Sequence, residues 1–497
     1  MFQTLRNSVL VKVAALVLLT LLLCIPLSEI GSLIRERGNS RNEAAQELAQ
    51  TYAGSQTLVG PLLVVPYTER WTEDERNDKG RVTGRVARSA ERAHIVFPDK
   101  LAIDGSMTPQ ERYRGIFKIP FYTLDATLEG GFSAFDTKTL PHLQKNSTVE
   151  LGGKTPFMLL SVTDLRGLDG SPTFTLGEQS LRFAQGVPDI AGIAAPAQGI
   201  HAPLSGSALV AWQKGEALPF KLKLGLVGQQ TLSMVPAAEE TTAHITSPWA
   251  HPSFGGRFLA SERSVTTEGF DARWRVSALV SSAREQVRSA MAAGVVDEGS
   301  TEATADAIDA ARPVARRAGD RTQLDTFNVA LAEPLNVYAM STRAVKYGAL
   351  FGGLVLMAGF MFELFRKLRL HPVQYGLVGL SIALFFLLLV ALSEKLLFWQ
   401  AYAVAASASV LLLAVYFSAA LQGWRRGASF AAYVALLYGA LYGLLASESN
   451  ALLLGALLVF GMLAALMVAT RKVDWYALSA PAVPTASAAA SPMVLSP

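Results

Sequence analysis

Six apolar stretches, one near the N-terminus and five crowded into the last third, bracket roughly 300 residues of water-soluble sequence. The first runs from Val9 to Leu27, interrupted by Lys12 near its start. The others are Tyr347–Phe365, Val373–Leu392, Trp399–Leu421, Ala428–Ala446 and Ala451–Thr470. Each approaches the ~20 residues an α-helix needs to cross the hydrocarbon core, and a soluble core helix rarely runs so long without charge. The pattern predicts a membrane α-helical bundle of six spans, with one large extramembrane domain between spans one and two.

Alternate short loops among the last five stretches carry nearly all the basic residues: Arg366, Lys367 and Arg369, then Arg425 and Arg426, then Arg471 and Lys472. The intervening loops hold Lys395, with Glu394 and Glu448. The positive-inside rule places the basic sites in the cytoplasm, and an even number of spans puts the N-terminus, with Arg6 and Lys12, on the same side. The domain from about Glu29 to Thr342 is then expected across the membrane. Arg35, Arg37, Arg343 and Lys346 sit against the rule, but a long translocated domain is insensitive to such charges.

The net charge of +4 hides two populations: the middle of the chain carries 32 basic and 36 acidic residues, and the membrane part 12 and 4. A basic isoelectric point thus reports topology, and nucleic acid is not an expected partner. The single cysteine, Cys24, lies within span one, so no intrachain disulfide can brace the domain. Leucine stands where a lipidated cysteine needs a small residue before it, and no Ala-x-Ala site follows Pro26, so span one is expected to stay uncleaved.

After Pro26, Ile30, Leu33, Ile34, Ala44, Ala45, Leu48, Ala49 and Tyr52 recur at helical spacing, a stalk leading out of the membrane. From Leu58 the texture changes to short apolar or alternating runs bounded by Gly and Pro: Leu62–Tyr67, Ala93–Phe97, Gly115–Pro120, Thr123–Phe132, Phe157–Val162, Leu218–Leu226, Thr231–Val235 and Arg273–Val276. These are strand signals at sandwich-like intervals, and they predict a β-rich domain of one or two packed antiparallel sheets. Residues 280–321 turn Ala-, Arg- and acid-rich, as a helix or flexible insertion would. The expected layout is an N-terminal span (1–28), a stalk helix (29–57), a β-rich domain (58–342), a five-helix bundle (343–476) and a disordered tail (477–497).

Candidate chemistry is sparse. Gly153-Lys154-Thr155 resembles the end of a phosphate-binding loop, but Thr148 occupies the place of the required glycine. His201, His244 and His251 fit no zinc spacing, and Pro248 and Pro252 argue for a turn-rich loop with Trp249 as its anchor. Asp164 and Arg166 suit a local network capping a turn better than a cation site. Glu363, Glu394, Lys395 and Glu448 fall at span ends, where headgroups and water are expected to solvate them, so the spans show no ion-coupling residue at mid-depth. Small residues at close-packing intervals (Gly348 with Gly352, Gly439 with Gly443, and Ala401, Ala405, Ser407 and Ala408) predict a compact bundle. Trp399, Trp424 and Trp475 sit at boundaries as interfacial anchors do.

Several stretches, taken in order, carry a family likeness: Leu58-Val59-Gly60-Pro61-Leu62 running into Pro66-Tyr67-Thr68-Glu69; Ser161-Val162-Thr163-Asp164-Leu165-Arg166-Gly167; and His251-Pro252-Ser253-Phe254. In the membrane part they are Leu370-His371-Pro372-Val373-Gln374-Tyr375, Val378-Gly379-Leu380-Ser381, Ala391-Leu392-Ser393-Glu394 and Asp474-Trp475-Tyr476. Together they resemble the CreD family of bacterial inner-membrane proteins, also called cell envelope integrity proteins. The resemblance implies an inner-membrane protein, and with the charge pattern the expected reading is a non-enzymatic multi-pass protein with cytoplasmic termini and a periplasmic domain. It also implies a link to envelope stress through two-component control, and an effect on tolerance to colicins and β-lactams. It supplies no catalytic, cofactor-binding or metal-ligating residue. Its expected partners are the lipid bilayer and other envelope proteins. From other classes, an envelope enzyme working on lipid or peptidoglycan fragments through Asp164 or Glu69, and a lipid or small-molecule transporter, remain the competing readings.

Overall fold

The computed structural model describes residues 9–76, 82–151, 153–188, 199–292, 324–332, 337–366, 370–420, 423–446 and 451–471. Asp474-Trp475-Tyr476, the tail, Glu448 and most of the Ala-rich stretch lie outside the described residues. The chain forms two units, Met1–Arg41 with Leu335–Pro497, and Asn42–Pro334. Helix α1 (Val9–Thr51) begins in the first unit and ends in the second, passing Pro26 without interruption.

The second unit is built on two sheets. The nine-stranded one runs, edge to edge, through Pro252–Gly256, Phe327–Leu331, Thr231–Met234, Gln56–Arg76, Phe157–Val162, Gly199–Pro203 and Ala184–Gln185, with Val82–Val96 and Thr148–Leu151 also pairing onto Gln56–Arg76. The eight-stranded one runs Glu262–Thr266, Gly269–Ser277, Glu240–Ser247, Lys100–Arg114, Phe117–Phe132, Leu218–Gln229, Leu168–Leu176 and Gln179–Leu181. The expected all-antiparallel pairing does not hold. Gln56–Leu58 runs parallel to Leu232–Met234, and Lys100–Ser106 runs parallel to Glu240–Thr246.

The continuous apolar run Leu62–Tyr67 is explained by burial on both faces, since successive side chains of a strand point opposite ways. Leu63, Val65 and Tyr67 join Leu101, Ile103 and Met107 of the other sheet in one core. Leu62 and Val64 face the opposite way, into a smaller cluster with Val287 and Met291 of helix α3 (Ala283–Ala292). That helix places Ala283, Val287 and Met291 four residues apart on one buried stripe, so the first part of the Ala-rich stretch is packed structure. Helix α2 (Gly206–Gln213) covers the main core with Ala208 and Trp212.

In the first unit the apolar helices are α4 (Val337–Arg366), α5 (Pro372–Ser393), α6 (Phe398–Ala420), α7 (Trp424–Ala446) and α8 (Ala451–Thr470), with α1 at the N-terminal end. Among the described residues, α1, α4, α5, α6 and α7 are long and apolar enough to cross a membrane, and α8 contributes the shorter apolar stretch Leu453–Ala464. The family-like Leu370–Tyr375 segment starts α5. His371 caps it by accepting from Val373 N, Gln374 Oε1 accepts from His371 N at 2.9 Å, and Pro372 fills the first turn where no donor is needed.

Packing uses only some of the small residues. A Cβ on Gly352 would lie 2.3 Å from Leu23 Cδ2, and one on Gly348 would lie 3.0 Å from Phe386 Cε2 and 3.1 Å from Leu27 Cδ2, so α1 rides on that glycine face. Gly439 and Gly443 instead meet open space. Ala401 and Ala405 are buried, whereas Ser407 and Ala408 are exposed, because one helical face cannot hold all four. Trp399 and Trp424 are exposed, as boundary residues are.

Candidate functional site

The last turn of α1 has no basic residue of its own, and its final carbonyls lack partners within the helix. The Ser161–Gly167 motif supplies both. Phe157–Val162 ends in a one-turn 3₁₀ helix, Leu165–Gly167, capped by Asp164, whose Oδ1 accepts from Arg166 N at 3.1 Å. The same carboxylate grips the Arg166 guanidinium at 2.9 and 2.6 Å, fixing a fork whose remaining N–H groups donate to the α1 carbonyls of Ala49 (3.0 Å) and Gln50. Gln229 Nε2 adds a bond to Ala45 O at 3.1 Å, and Arg114 pairs with Glu47 at 2.8 Å. Arg112 stacks on the Tyr52 ring at 4.5 Å.

Behind this clamp Gln56, fully buried, donates to Asp164 O (3.0 Å) and Val227 O (3.2 Å) and accepts from Asp164 N (3.1 Å). Gly167 closes it, since a Cβ there would stand 2.3 Å from Gln56 Nε2 and 2.4 Å from Val227 O. Hydrogen bonds from the Arg166 guanidinium hold the Asp164 carboxyl below its usual range against the opposing effect of burial. The expected turn-capping network is present, and its reach to α1 is the addition.

Among the described residues Glu69 is the most enclosed acid of the β-rich unit, with no exposed surface. One oxygen accepts from the backbone N–H groups of Leu143 and Gln144, both at 2.7 Å, and the other from Arg92 Nε at 2.7 Å. Burial is the strongest single influence and acts to raise its pKa, but Gln144, Ser147, Arg92 and Leu143 together outweigh it and hold the carboxyl below the usual range. Asp325, which sequence reasoning missed, behaves likewise. It takes Ser282 N and Oγ at 2.9 Å each and Gln286 Nε2 at 3.2 Å at the start of α3, and these bonds lower its pKa although burial opposes them. The signal was there in Ser281-Ser282 ahead of an apolar period, a helix start that invites an acid.

The histidines are dispersed. His244 lies within a strand, not a turn-rich loop, between Asp104 and Asp271 at 3.0 Å each. His201 contacts Gly186 O at 2.8 Å, and His251 is exposed. Trp249 packs against the core with its Nε1 donating to His251 O (3.0 Å) and Ala332 O (3.1 Å), an anchor for the chain between two strands. Lys154 pairs with Glu91 at 2.8 Å. Among the described residues no cluster of His, Cys, Asp and Glu could hold a metal ion.

In the helical unit Glu363 departs from expectation. It is 3% exposed, because Lys12 of α1 and Tyr375 of α5 close over it: Lys12 Nζ donates to Oε1, and Tyr375 OH donates to Oε2 at 2.6 Å. Its position near a span end set its depth but not its neighbours. Glu394, at the end of α5, meets Arg37 of α1 at 3.6 Å. Between α6 and α7, Tyr402 OH donates to Tyr438 O at 2.7 Å and Ser409 shares a hydrogen bond with Tyr438 OH at 2.9 Å, all buried.

Apolar helices carrying the charge pairs Lys12–Glu363 and Arg37–Glu394, joined to a β-rich unit whose acids Glu69, Asp164 and Asp325 accept backbone N–H groups, are the features of an integral membrane protein. The family model for the inner membrane protein CreD matches residues 8–476, and the chain belongs to that family. It is 33% identical over 470 residues to the inner membrane protein CreD of Escherichia coli (strain K12), covering 95% of this chain and 94% of that one. Among solved structures, an M1 zinc metallopeptidase from Deinococcus radiodurans bound to a Tyr-Ser-Ala substrate overlaps 36% of this chain and 39% of its own at 11% identity and a TM-score of 0.18. Another structure of that enzyme overlaps 36% and 38% at 9% identity and 0.18. Likeness of that size carries no argument about fold or chemistry.

Proposed function

We propose that this chain is a non-enzymatic protein that supports envelope integrity, with six spans, both termini in the cytoplasm and the β-rich unit in the periplasm, where it contacts envelope partners. The supporting observation is where the family-like residues point. Glu69, Asp164 and Arg166 bind backbone groups of their own unit, and both carboxyls are held below the usual range, the opposite of what a general acid needs. Residues spent in this way specify a shape, and a shape is what a docking protein offers. The basic short loops support the orientation, and the family membership supports a role in colicin and β-lactam tolerance.

Two measurements test this reading. A phosphatase reporter fused within residues 58–277 should be active and one fused after Tyr476 silent, and the reverse would overturn the orientation. A photo-cross-linking amino acid at exposed Tyr113 or Leu259 should capture defined envelope proteins in living cells. Hydrolysis of peptidoglycan or lipid by the purified chain, abolished in a folded Asp164→Asn variant, would favour the enzyme instead.

A further inference from the structure

Within the helical unit, α1, α4, α7 and α8 enclose an elongated groove of about 870 Å³, lined by apolar side chains from Val13 to Leu21 on α1, from Ala349 to Phe362 on α4, and by Met462 and Leu463 on α8. Its size is that of a small-molecule site. The polar atoms in its wall are already satisfied: Thr20 Oγ1 donates to Leu16 O at 2.9 Å, and Tyr433 OH donates to Leu354 O at 3.4 Å. Both O–H donors are taken and the rest of the lining side chains are apolar, so hydrocarbon is the occupant this length suits. The α4 wall extends roughly 20 Å at 1.5 Å per residue, slightly more than the ~15 Å of one leaflet's hydrocarbon.

One end of the groove is not apolar. Val13 follows Lys12 and Phe362 precedes Glu363, so the groove begins where the Lys12–Glu363–Tyr375 cluster ends. The Lys12 side chain is 35% exposed, and an ammonium has three N–H donors, of which Glu363 takes one. From these observations, the geometry points to a phospholipid site: one acyl chain of a bilayer phospholipid lies along the groove, with its phosphate at Lys12. Length, apolarity and the partly exposed Lys12 ammonium at one end together describe such an amphiphile, since an acyl chain fills the groove while its phosphate meets the Lys12 N–H donors that Glu363 does not take. Tyr402 and Tyr438 are not in the groove wall, so the site is a lateral seat for lipid and not a polar path across the membrane.

The test uses the full-length chain in vesicles of phosphatidylethanolamine and phosphatidylglycerol, doped with phosphatidylglycerol bearing a photoactivatable diazirine in one acyl chain, with labelled positions mapped by peptide mass spectrometry. Labelling at Met357, Met361 and Met462 should exceed several-fold that at Leu411 and Val415, which are 65% and 72% exposed on α6. It should fall several-fold in Met357→Trp and in Leu463→Trp, both of which fill the groove from partly exposed positions, while label on α6 is unchanged. Lys12→Gln should weaken labelling by this lipid in the groove. Equal labelling of groove and α6 in the unaltered protein would overturn the proposal without recourse to any variant. So would groove label unmoved by either tryptophan, preferential labelling by a diazirine fatty acid lacking the phosphate, or cross-links joining two chains through the groove.

Discussion

Glu69 and Glu363 are both buried carboxylates in family-matched sequence, yet the two units solve the same problem with different donors. In the β-rich unit Glu69 is held by backbone amides of residues 143 and 144, a segment that is neither helix nor strand and so has N–H groups to spare. In the helical unit the backbone amides are committed to their own i−4 carbonyls, as they must be in lipid, and Glu363 can be satisfied only by side chains from other helices. The contrast teaches what each acid controls. Glu69 fixes a local loop, whereas Glu363 fixes which helices are neighbours.

That difference can be broken by mutation, beginning where the loss should be greatest. Glu69→Ala leaves Arg92 and two inward-facing amides unpartnered and is expected to cost about 3 kcal/mol or more, read as a lowered unfolding midpoint of the β-rich unit. Because the folded-state pKa values of Glu69, Asp164 and Asp325 lie below the usual range, their stabilisation is complete above the ordinary carboxylate pKa of about 4 and disappears as pH falls through the lower folded values. Acid titration of unfolding should therefore show a loss below about pH 4 that is smaller in Glu69→Ala, and an equal loss in both proteins would contradict this assignment.

Arg166→Ala should lower stability by less than Glu69→Ala and should raise hydrogen exchange selectively in the last turn of α1. Uniform exchange would mean that the clamp does not hold the helix end. Tyr375→Phe removes one membrane hydrogen bond and should lower detergent-resistant unfolding by about 1 kcal/mol. Arg37→Ala breaks a partly exposed pair and should change stability by only about 0.5 kcal/mol. An Arg37 effect exceeding that of Tyr375 would invert the ordering of buried and exposed partners.

Much of this was legible in the chain. Phe157–Val162 reads as a strand because its apolar run has no room for a helix before Asp164, and the structure gives that strand with the same ends. The apolar helices followed from length and hydrophobicity alone. The strand Lys100–Arg114 was overlooked because only Leu101, Ile103, Gly105 and Met107 face inward, and a glycine in that series, needed to clear Ile245, hides the alternation. The sites were the least legible. Asp164 with Arg166 is a local pairing and could be read, but the carbonyls Arg166 reaches lie 116 and 117 residues away. Lys12 and Glu363 are 351 residues apart, and depth along a span says nothing about which helix stands opposite.

Two cations of α1 that meet bundle carboxylates, Lys12 and Arg37, are spaced by almost seven whole turns at 3.6 residues per turn, which returns Arg37 to within roughly 20° of the stripe that carries Lys12. Helix α1 therefore behaves as a phase gauge as well as a connector: its angular setting is read at both ends, and the two readings agree only for this count of residues. A single alanine inserted between them would turn one cation about 100° away from its carboxylate while leaving every other side chain of the bundle unchanged in identity. A length change of one helical turn would keep the angle and lose the height.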